Sequence, residues 1–321
     1  MKIQRELEIE KVSVSANSVL DRFQGKDAPV QRTLFEVFRE HNDKCVQLSG
    51  TDMAPATVQR YETSLKHTRD FVWETYHKKD VLLDEVSRQF IEDYEFWLKT
   101  EKKCCHNTAT KYLKNFKKIT RIALAKGWMK NDPFLEIRFS LDKVEPDFLE
   151  DSEIQKLISK EIDIPRLSQV RDIFVFCCFT GLAFSDIHGL RKEHIVEDSN
   201  GVRWIRKGRQ KTKIMCNIPL IEIPLKILEK YSTNEYCKKH GVLFPVLCNQ
   251  KMNAYLKELA DICGIKKTLT THVGRHTFAT FALANGVSIE SVAKMLGHTN
   301  VQMTRHYARV LDRTVIREMS Q

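Results

Sequence analysis

Apolar side chains recur at intervals of three, four and seven residues in four successive stretches before Gly127. This is the period of one face of an α-helix, so each stretch predicts an amphipathic helix. The repeating positions are Leu34, Phe35 and Phe38, then Val58, Tyr61, Leu65 and Val72, then Val86, Phe90, Ile91, Tyr94, Trp97 and Leu98, and finally Tyr112, Phe116, Ile119 and Ala123. Aromatic residues at this spacing are typical of a bundle core. Residues 28–133 are therefore predicted to form a small helical domain.

The fourth predicted helix also has a basic face. By helical geometry, Lys111, Lys114, Lys118 and Arg121 are centred roughly 160 to 200° around the helix from the apolar stripe. No acidic residue occurs among residues 102–131. A solvated helix face usually mixes both signs of charge, so an unopposed row of cations is better explained by contacts to phosphates. These four residues are the predicted nucleic-acid-binding face.

Three further segments complete the chain. Residues 1–27 are charged and mixed in pattern, with one short helical repeat, and are predicted to form a separate N-terminal segment. Residues 134–147 are hydrophilic and contain Pro146, which is typical of a linker. The remaining residues, 148–321, are numerous enough to form a second domain with its own core.

The second domain combines helical patterns with one predicted hairpin. The apolar run before Gly181 is typical of a buried helix that a glycine ends. Residues 202–205 and 214–220 have the composition of strands, and the polar turn between them completes a hairpin. The chain as a whole is therefore predicted to be mainly α with a small β-sheet.

Composition narrows the class of partner. The chain has 52 Lys and Arg against 42 Asp and Glu, a net charge of +10 and a pI near 9.1, which favours a polyanion. No apolar run reaches the roughly 18 residues of a membrane helix, and the N-terminus has no secretory signal pattern. A cytoplasmic protein without a membrane partner is expected. The nine cysteines include no Cys-x-x-Cys pair, which predicts reduced thiols and no metal site.

The stretch that begins at Thr271 carries the candidate chemistry. His272 and Arg275 are three residues apart and can share one helical face, where an imidazole and a guanidinium fork suit one phosphate. A Leu-Gly-His sequence then places His298 just past a predicted helix end. Tyr307 follows nine residues later. Because phenols titrate near 10, a tyrosine becomes a useful nucleophile only beside cations and a base.

This motif resembles box II of the tyrosine recombinases, the phage-type integrases. The resemblance implies a helical core-binding domain of the SAM-like type at residues 28–133 and an α+β catalytic domain at residues 148–321. It implies that residues 1–27 are the remnant of an arm-binding domain. It also implies a site-specific recombinase that cleaves and rejoins double-stranded DNA through a 3'-phosphotyrosyl intermediate, integrating or excising a mobile element.

The resemblance gives each residue of the motif a role. Tyr307 would be the nucleophile, Arg275 and His298 would hold the phosphate, and His272 would help to take the phenolic proton. Lys211, in the turn of the predicted hairpin, matches the family's mobile β-hairpin lysine and would protonate the leaving oxygen. No cofactor and no metal ion is expected in an enzyme of this type, because its arginines and histidines supply the positive charge.

Box I of the same family is matched by the sequence Thr180-Gly-Leu-Ala183-Phe-Ser-Asp186, except at one position. The family's first catalytic arginine would fall on Ala183, a departure that resembles the integrases of Bacteroides-type mobile elements. Loss of one charge-assisted phosphate contact costs on the order of 2 to 4 kcal/mol in the transition state, so a substitute is expected. The candidate substitutes are Arg209, Arg171 and Arg191. Their positions in the chain do not choose among them.

Two other functions remain compatible with the sequence. Ala183 fits a DNA-binding protein of recombinase fold that has reduced or lost catalysis, and a type IB topoisomerase-like enzyme would share the same chemistry. The family also implies a tetramer on paired DNA sites, with an accessory DNA-bending protein as a further partner. Apolar positions recur at helical spacing after the tyrosine, at Val310, Leu311, Val315, Ile316 and Met319. This tail is predicted to form a short helix that docks on a neighbouring protomer.

Overall fold

The computed structural model of the chain describes residues 16–23, 31–308 and 319. Packing divides the chain into two compact units, Met1–Val144 and Glu145–Gln321. Helix α1, Ala16–Phe23, is the described part of the predicted N-terminal segment.

After α1, four described helices build the first unit, as the apolar period predicts. In chain order they are α2 (Leu34–Gln47), α3 (Pro55–Tyr76), α4 (Arg88–Thr100) and α5 (His106–Ala125), with a 3-10 turn at Leu83–Glu85. Thr33 begins α2 through a capping box with Glu36. Ser87 caps α4 by accepting a hydrogen bond from the backbone N–H of Phe90. These side chains satisfy backbone donors that the first helical turn leaves free.

Aromatic rings fill the core of the first unit. Phe71, Tyr94 and Phe116 are fully buried, and the ring of Tyr94 lies 5.1 Å from that of Phe71 and 5.7 Å from that of Phe116. Burying one such side chain stabilises the fold by roughly 1.5–3 kcal/mol. On α5 the core side is centred on Leu113 and Phe116, while Tyr112 is only half-buried. The apolar stripe is therefore turned slightly from the predicted one.

The first part of the predicted linker packs on the first unit. Phe134 is fully buried, with its ring 6.0 Å from that of Phe116. The side chain of Asn107 donates to the carbonyl of Asp142 and accepts from its N–H, at 3.0 and 2.8 Å. The hydrophilic pattern concealed this packing, because a single aromatic side chain and one side-chain amide are enough to anchor a short polar segment.

The second unit combines helices with a three-stranded antiparallel sheet. Its described elements are α6 (Asp151–Ser159), α7 (Pro165–Thr180), α8 (Phe184–His188), a 3-10 turn (Lys192–His194), β1 (Ile195–Glu197), β2 (Arg203–Gly208), β3 (Met215–Pro219), α9 (Glu222–Tyr231), α10 (Glu235–His240), α11 (Asn249–Ile262), α12 (Thr271–Ala284), α13 (Ile289–Leu296) and α14 (Gln302–Arg305). Strand β2 lies between β1 and β3 and pairs Ile205 with Ile195 and Arg206 with Asn217. The hairpin of β2 and β3 confirms the predicted one. Strand β1 is too short for its alternation to be recognised in the sequence.

Helix α7 is the central element of the second unit. It packs against α9, α11 and α12, and apolar residues such as Phe174 and Phe176 are buried around its circumference. Gly181 ends α7 with a φ of +66°, a conformation that L side chains rarely adopt. A Cβ at this position would lie 2.4 Å from the ring of Phe278 on α12. Glycine therefore permits both the turn and the close approach of α12.

Two predictions concern residues that are largely outside the described ranges. Of the predicted tail helix only Met319 is described, and its side chain is exposed. Of the predicted N-terminal segment only α1 is described. None of the helices in the described part of the chain is long and apolar enough to cross a membrane.

Candidate active site

Arg275 lies at the centre of the candidate site. Its side chain projects from α12 and is only 2% exposed. One terminal nitrogen donates to the carbonyl of Gly181 at 2.7 Å, and the other donates to the carbonyl of Leu296 at 2.5 Å and to Nε2 of His298 at 3.1 Å. Both carbonyls are at helix C-termini, where the partial negative charge stabilises a cation. Burial, with help from the charge of Arg209, lowers the pKa of Arg275 to about 10, so the group remains cationic at neutral pH.

His298 follows the left-handed Gly297 that ends α13, as the Leu-Gly-His sequence predicts. A Cβ on Gly297 would lie 2.7 Å from the sulfur of Cys216, so this turn also requires glycine. Nδ1 of His298 is 2.8 Å from the hydroxyl oxygen of Thr304 on α14. Burial, followed by the charges of Arg275 and Arg209, lowers the pKa of His298 to about 4. The imidazole is therefore neutral at neutral pH before DNA binds.

Tyr307 comes just after α14, and its N–H donates to the carbonyl of Thr304 at 2.9 Å. Its ring is nearly parallel to that of His298, at 12°, with the centroids 6.2 Å apart. Burial raises the pKa of the Tyr307 phenol, and the charges of Arg275 and Arg209 oppose that rise. The phenol is therefore protonated at neutral pH and needs a base if it is to attack a phosphate.

Two histidines of α12 adjoin the tyrosine. His272 is exposed at its outer edge, but the protein beneath its ring desolvates it. This desolvation is the main reason why the pKa of His272 is lowered, and the charge of Arg275 is the next. His276 was not predicted as a site residue. Its ring is 4.2 Å from that of His272 and 5.2 Å from that of Tyr307, and burial lowers its pKa to about 4. The spacing of four residues from His272 was visible in the sequence and could have indicated it.

Lys211 lies in the turn between β2 and β3, with an exposed side chain. It is close enough to His272 for its charge to lower the pKa of that histidine. The turn is held at two points. The N–H of Gln210 donates to a carboxylate oxygen of Asp186 at 2.9 Å, and the hydroxyl of Thr212 donates to the carbonyl of Gly297 at 3.1 Å. The hairpin that carries Lys211 is therefore attached to α8 and to the turn that carries His298.

Two of the three candidate substitute arginines lie away from this cluster. Ala183 is the N-cap of α8 and offers no donor from its side chain. Arg171 donates to the carbonyl of Lys160 at 2.6 Å and to the buried Asp172 at 3.1 Å. Arg191 lines a separate cavity of about 860 Å³ beside α9 and α10. Neither contacts the box II residues.

Arg209, the third candidate, belongs to the cluster. Its side chain is 9% exposed and passes close to Gly297. A Cβ on that glycine would be 3.4 Å from Cδ of Arg209. Its Nε lies 4.0 Å from the buried Asp186. The charge of Arg209 lowers the pKa values of Arg275, His298 and His272. Sequence reasoning did not indicate Asp186 as a partner of this arginine, because 23 residues separate the two along the chain.

The predicted nucleic-acid-binding face is in the first unit. Lys111, Lys114, Lys118 and Arg121 are all exposed on α5. Lys118 donates to the hydroxyl of Tyr61 at 3.0 Å and lies over its ring. No ion pair joins any of these four cations to an acid within the residues that the structure describes. Throughout the same ranges, no group of three His, Cys, Asp or Glu side chains could hold a metal ion.

Comparisons with known proteins show the family to which the chain belongs. The model of the phage integrase SAM-like domain matches residues 33–143, and the model of the phage integrase family matches residues 147–314. A tyrosine recombinase of Pseudothermotoga lettingae is 30% identical over 264 residues, which cover 80% of this chain and 88% of that protein. The tyrosine recombinase XerD of Oceanobacillus iheyensis is 26% identical over 266 residues, which cover 79% and 87%.

A solved structure has the same fold. The integrase of the Tn1549 transposon, in complex with a circular intermediate DNA, superposes with a TM-score of 0.70 at 17% identity. The match covers 90% of this chain and 99% of that one.

A SAM-like helical unit followed by a mixed α and β unit with clustered Arg, His and Tyr defines a class of DNA strand-exchange enzymes. This chain belongs to the phage integrase family, the tyrosine recombinases. It is a site-specific recombinase that breaks and rejoins DNA. The predicted family, the mainly α fold class with a small sheet and the general function are thereby confirmed.

Proposed function

We propose that this chain cuts and rejoins double-stranded DNA through a covalent 3'-phosphotyrosyl intermediate, without a metal ion, and so integrates or excises a mobile element. The observation that carries the proposal is the convergence of Tyr307, His298 and Arg275. Double-stranded DNA as the partner is supported by the net charge of +10 and by the DNA-bound integrase of the Tn1549 transposon, which is itself the enzyme of a mobile element.

The proposed first step is a transesterification at phosphorus. The phenolic oxygen of Tyr307 bonds to phosphorus, and the bond from phosphorus to the 5' oxygen of the next nucleotide breaks. His272 takes the phenolic proton and Lys211 gives a proton to the leaving oxygen, so atoms and charge balance. Because the phosphotyrosine keeps the bond energy, the 5' hydroxyl of another strand can reverse the step without ATP.

Arg275 is oriented in advance for the charge that develops on the phosphate. A guanidinium has five N–H donors. Three of those on Arg275 are used on Gly181, Leu296 and His298, so two of five remain for phosphate oxygens. Donors that are held in place before the reaction need no reorganisation in the transition state. Arginine, histidine and lysine thus supply the charge that a metal ion supplies elsewhere.

Arg209 replaces the missing box I arginine in this proposal. Its Nε is buried and lacks a hydrogen-bond partner within the described part of the protein, and so does one carboxylate oxygen of Asp186. Arg209 makes only a long ion pair to Asp186, at 4.0 Å, so this guanidinium beside His298 and Arg275 can donate to a second phosphate oxygen. Arg171 already donates to protein acceptors, which leaves it less free for DNA.

The test uses a nicked duplex that carries the end sequence of the element in which the gene lies. Cleavage beside the nick releases a short strand and traps the enzyme. We expect a covalent protein–DNA adduct that survives detergent and forms equally well with EDTA. Loss of the adduct in EDTA would refute metal independence, and relaxation of a supercoiled plasmid without the site would indicate a topoisomerase.

Ala183 supports a second candidate function, a DNA-binding protein of recombinase fold with reduced or lost catalysis. The same experiment distinguishes the two. Retardation of the nicked duplex without any covalent adduct, at every pH and enzyme concentration, would establish the binding protein and exclude the enzyme.

The proposed active assembly is a tetramer on paired DNA sites, with an accessory DNA-bending protein where the sites must be brought together. The protein is expected to be largely monomeric in solution, because one short helix buries too little area for a stable interface. Deleting residues 312–321 should preserve binding to one site and abolish the joining of two. Recombination by the truncated protein at the full rate would disprove docking of the tail on a neighbour.

A further inference from the structure

Thr304 contacts both His298 and the segment of the nucleophile. Its side chain is fully buried on α14. The hydroxyl oxygen is 2.8 Å from Nδ1 of His298, and the carbonyl accepts the N–H of Tyr307 at 2.9 Å. Thr304, which contacts the ring of His298, is thus only three residues before Tyr307 in the chain.

The hydrogen bonds define where the proton of His298 lies before DNA binds. Arginine can only donate, so Nε2 of His298, at 3.1 Å from a terminal nitrogen of Arg275, must accept with its lone pair. Burial beside Arg275 and Arg209 lowers the pKa of His298 to about 4, so the ring is neutral and carries one proton. That proton is therefore on Nδ1, and the hydroxyl of Thr304 accepts it.

The reaction requires the proton of His298 to be on Nε2 instead of Nδ1. A phosphodiester oxygen can only accept a hydrogen bond, so His298 can hold the scissile phosphate only if Nε2 carries a proton. Burial beside Arg275 and Arg209 disfavours an imidazolium. The ring that stays neutral therefore gives the proton at Nδ1 to water and takes one up at Nε2 from water, with no change in net charge. Nδ1 becomes an acceptor, and it needs a donor in the same buried position.

A hydroxyl group is suited to both arrangements, because it can rotate and either accept or donate. We propose that Thr304 is a positioning residue whose hydroxyl accepts from Nδ1 of His298 in the free protein and donates to it when Nε2 binds the scissile phosphate. This role rests on the proposed function. A carboxylate or carbonyl could serve only the free state, and valine, with nearly the shape of threonine, could serve neither.

The first arm of the test needs no DNA. Histidine ring nitrogens are observed by ¹⁵N NMR in the unchanged protein, in Thr304→Val and in Thr304→Ser, and His298→Asn identifies the signal. We expect a proton on Nδ1 of His298 in the unchanged protein and in Thr304→Ser. Arg275 donates to Nε2 in Thr304→Val as well, so there the proton should stay on Nδ1 but lose its acceptor, which shifts the Nδ1–H signal away from its hydrogen-bonded position. Melting temperature is measured in all three proteins.

The second arm measures the rate of covalent adduct formation on the nicked duplex. Thr304→Val should be slower by about tenfold, which corresponds to one net hydrogen bond, with DNA binding unchanged. Thr304→Ser should regain most of the rate, because it restores the hydroxyl but not the methyl group.

Three outcomes would overturn the assignment. The first is an Nδ1–H signal of His298 that is the same in Thr304→Val as in the unchanged protein. The second is equal adduct rates for these two proteins. The third is an equal loss of rate in Thr304→Val and Thr304→Ser, because that would mean threonine is needed for packing alone. If even the unchanged protein forms no adduct, the proposed function fails, and the spectra then decide alone whether the hydroxyl accepts from Nδ1 of His298.

Discussion

The two units of this protein differ in whether they bury charged side chains. In the first unit no Asp, Glu, Lys or Arg within the described residues is buried, and its predicted DNA-binding cations are all exposed. Among its described residues, the second unit buries four charged side chains, Asp172, Asp186, Arg209 and Arg275. Removing an ion from water costs several kcal/mol even after the protein relaxes. If the proposed DNA-binding face is right, the first unit contacts DNA at little cost to its own stability, whereas burial of the cations in the second unit lowers its stability and orients them beforehand.

The buried charges of the second unit are themselves of two kinds. Asp172 is paired with Arg171 and Lys230 and accepts from the hydroxyl of Tyr231, so its role is structural. Asp186 and Arg209 each retain a polar atom without a hydrogen-bond partner inside the described part of the protein. Buried polar groups are nearly always satisfied, and these two atoms are 4.0 Å apart, so the loosely held guanidinium of Arg209 is the group to which a phosphate could supply an acceptor.

The largest effect should come from the nucleophile. Tyr307→Phe keeps the aromatic ring and loses the hydroxyl of the proposed nucleophile. We expect DNA binding within about twofold of the unchanged protein, and no covalent adduct on the nicked duplex. Tyr236→Phe, at an exposed tyrosine of α10, is the matched control and should form the adduct normally. An adduct in Tyr307→Phe would assign the nucleophile to another residue, and Tyr255 and Tyr231 would be examined next.

Removal of the buried arginine of the hairpin should have the next largest effect. Arg209→Ala is expected to slow adduct formation by about 10²–10³, because one preoriented phosphate donor is lost. Arg191→Ala is the matched control, since this arginine lines a separate cavity, and its rate should stay within about threefold. Single-turnover rates on the nicked duplex give both values. If Arg191→Ala formed the adduct slowly and Arg209→Ala formed it at the normal rate, Arg191 and not Arg209 would be the substitute for the box I arginine.

Acid should destabilise the second unit through its buried histidines. The pKa values of His276 and His298 are lowered to about 4, whereas an unfolded histidine titrates near 6.5. Between these values the unfolded state binds more protons, so the free energy of unfolding falls as the pH falls. The slope is at most about 1.4 kcal/mol per pH unit for each histidine.

Calorimetry of the DNA-free protein between pH 7 and pH 5 measures this effect. His276→Gln should reduce the slope of the free energy of unfolding against pH by the contribution of one histidine. Above pH 7 both residues are neutral in either state, so their contribution should vanish. A melting temperature that is constant from pH 7 to pH 5 would contradict the lowered pKa values.

The smallest effect should come from the exposed cations of the first unit. Replacing Lys111 and Arg121 with Gln should flatten the slope of log K against log salt by roughly 2, because each contact releases counterions from the DNA. Lys78 and Lys99 are the matched pair for the control, since each is held in an ion pair with a glutamate of the same unit. An equal change of slope in the control would mean that the basic face of α5 has no special role.

The sequence alone determined the features that depend on short-range order. The period of apolar residues predicted the four helices of the first unit, and glycines marked the ends of α7 and α13. Helical geometry related His272 to Arg275, and the resemblance of these residues, His298 and Tyr307 to box II indicated the recombinase family. The exact core side of α5 and the packing of Phe134 were not predicted, since they depend on neighbours that no local period specifies.

Only the tertiary structure decided which distant groups meet. It brings Arg209, and not Arg171 or Arg191, beside the box II residues, and it places the carbonyl of Gly181 on a guanidinium 94 residues away in sequence. Thr304 has no sequence signal of its own, because a threonine in a short helix is ordinary until its hydroxyl is seen beside Nδ1 of His298. The physical reason is the same throughout. Helical periods and turn residues act over a few positions, whereas the environment of a buried charge is created by elements that come together only when the chain packs.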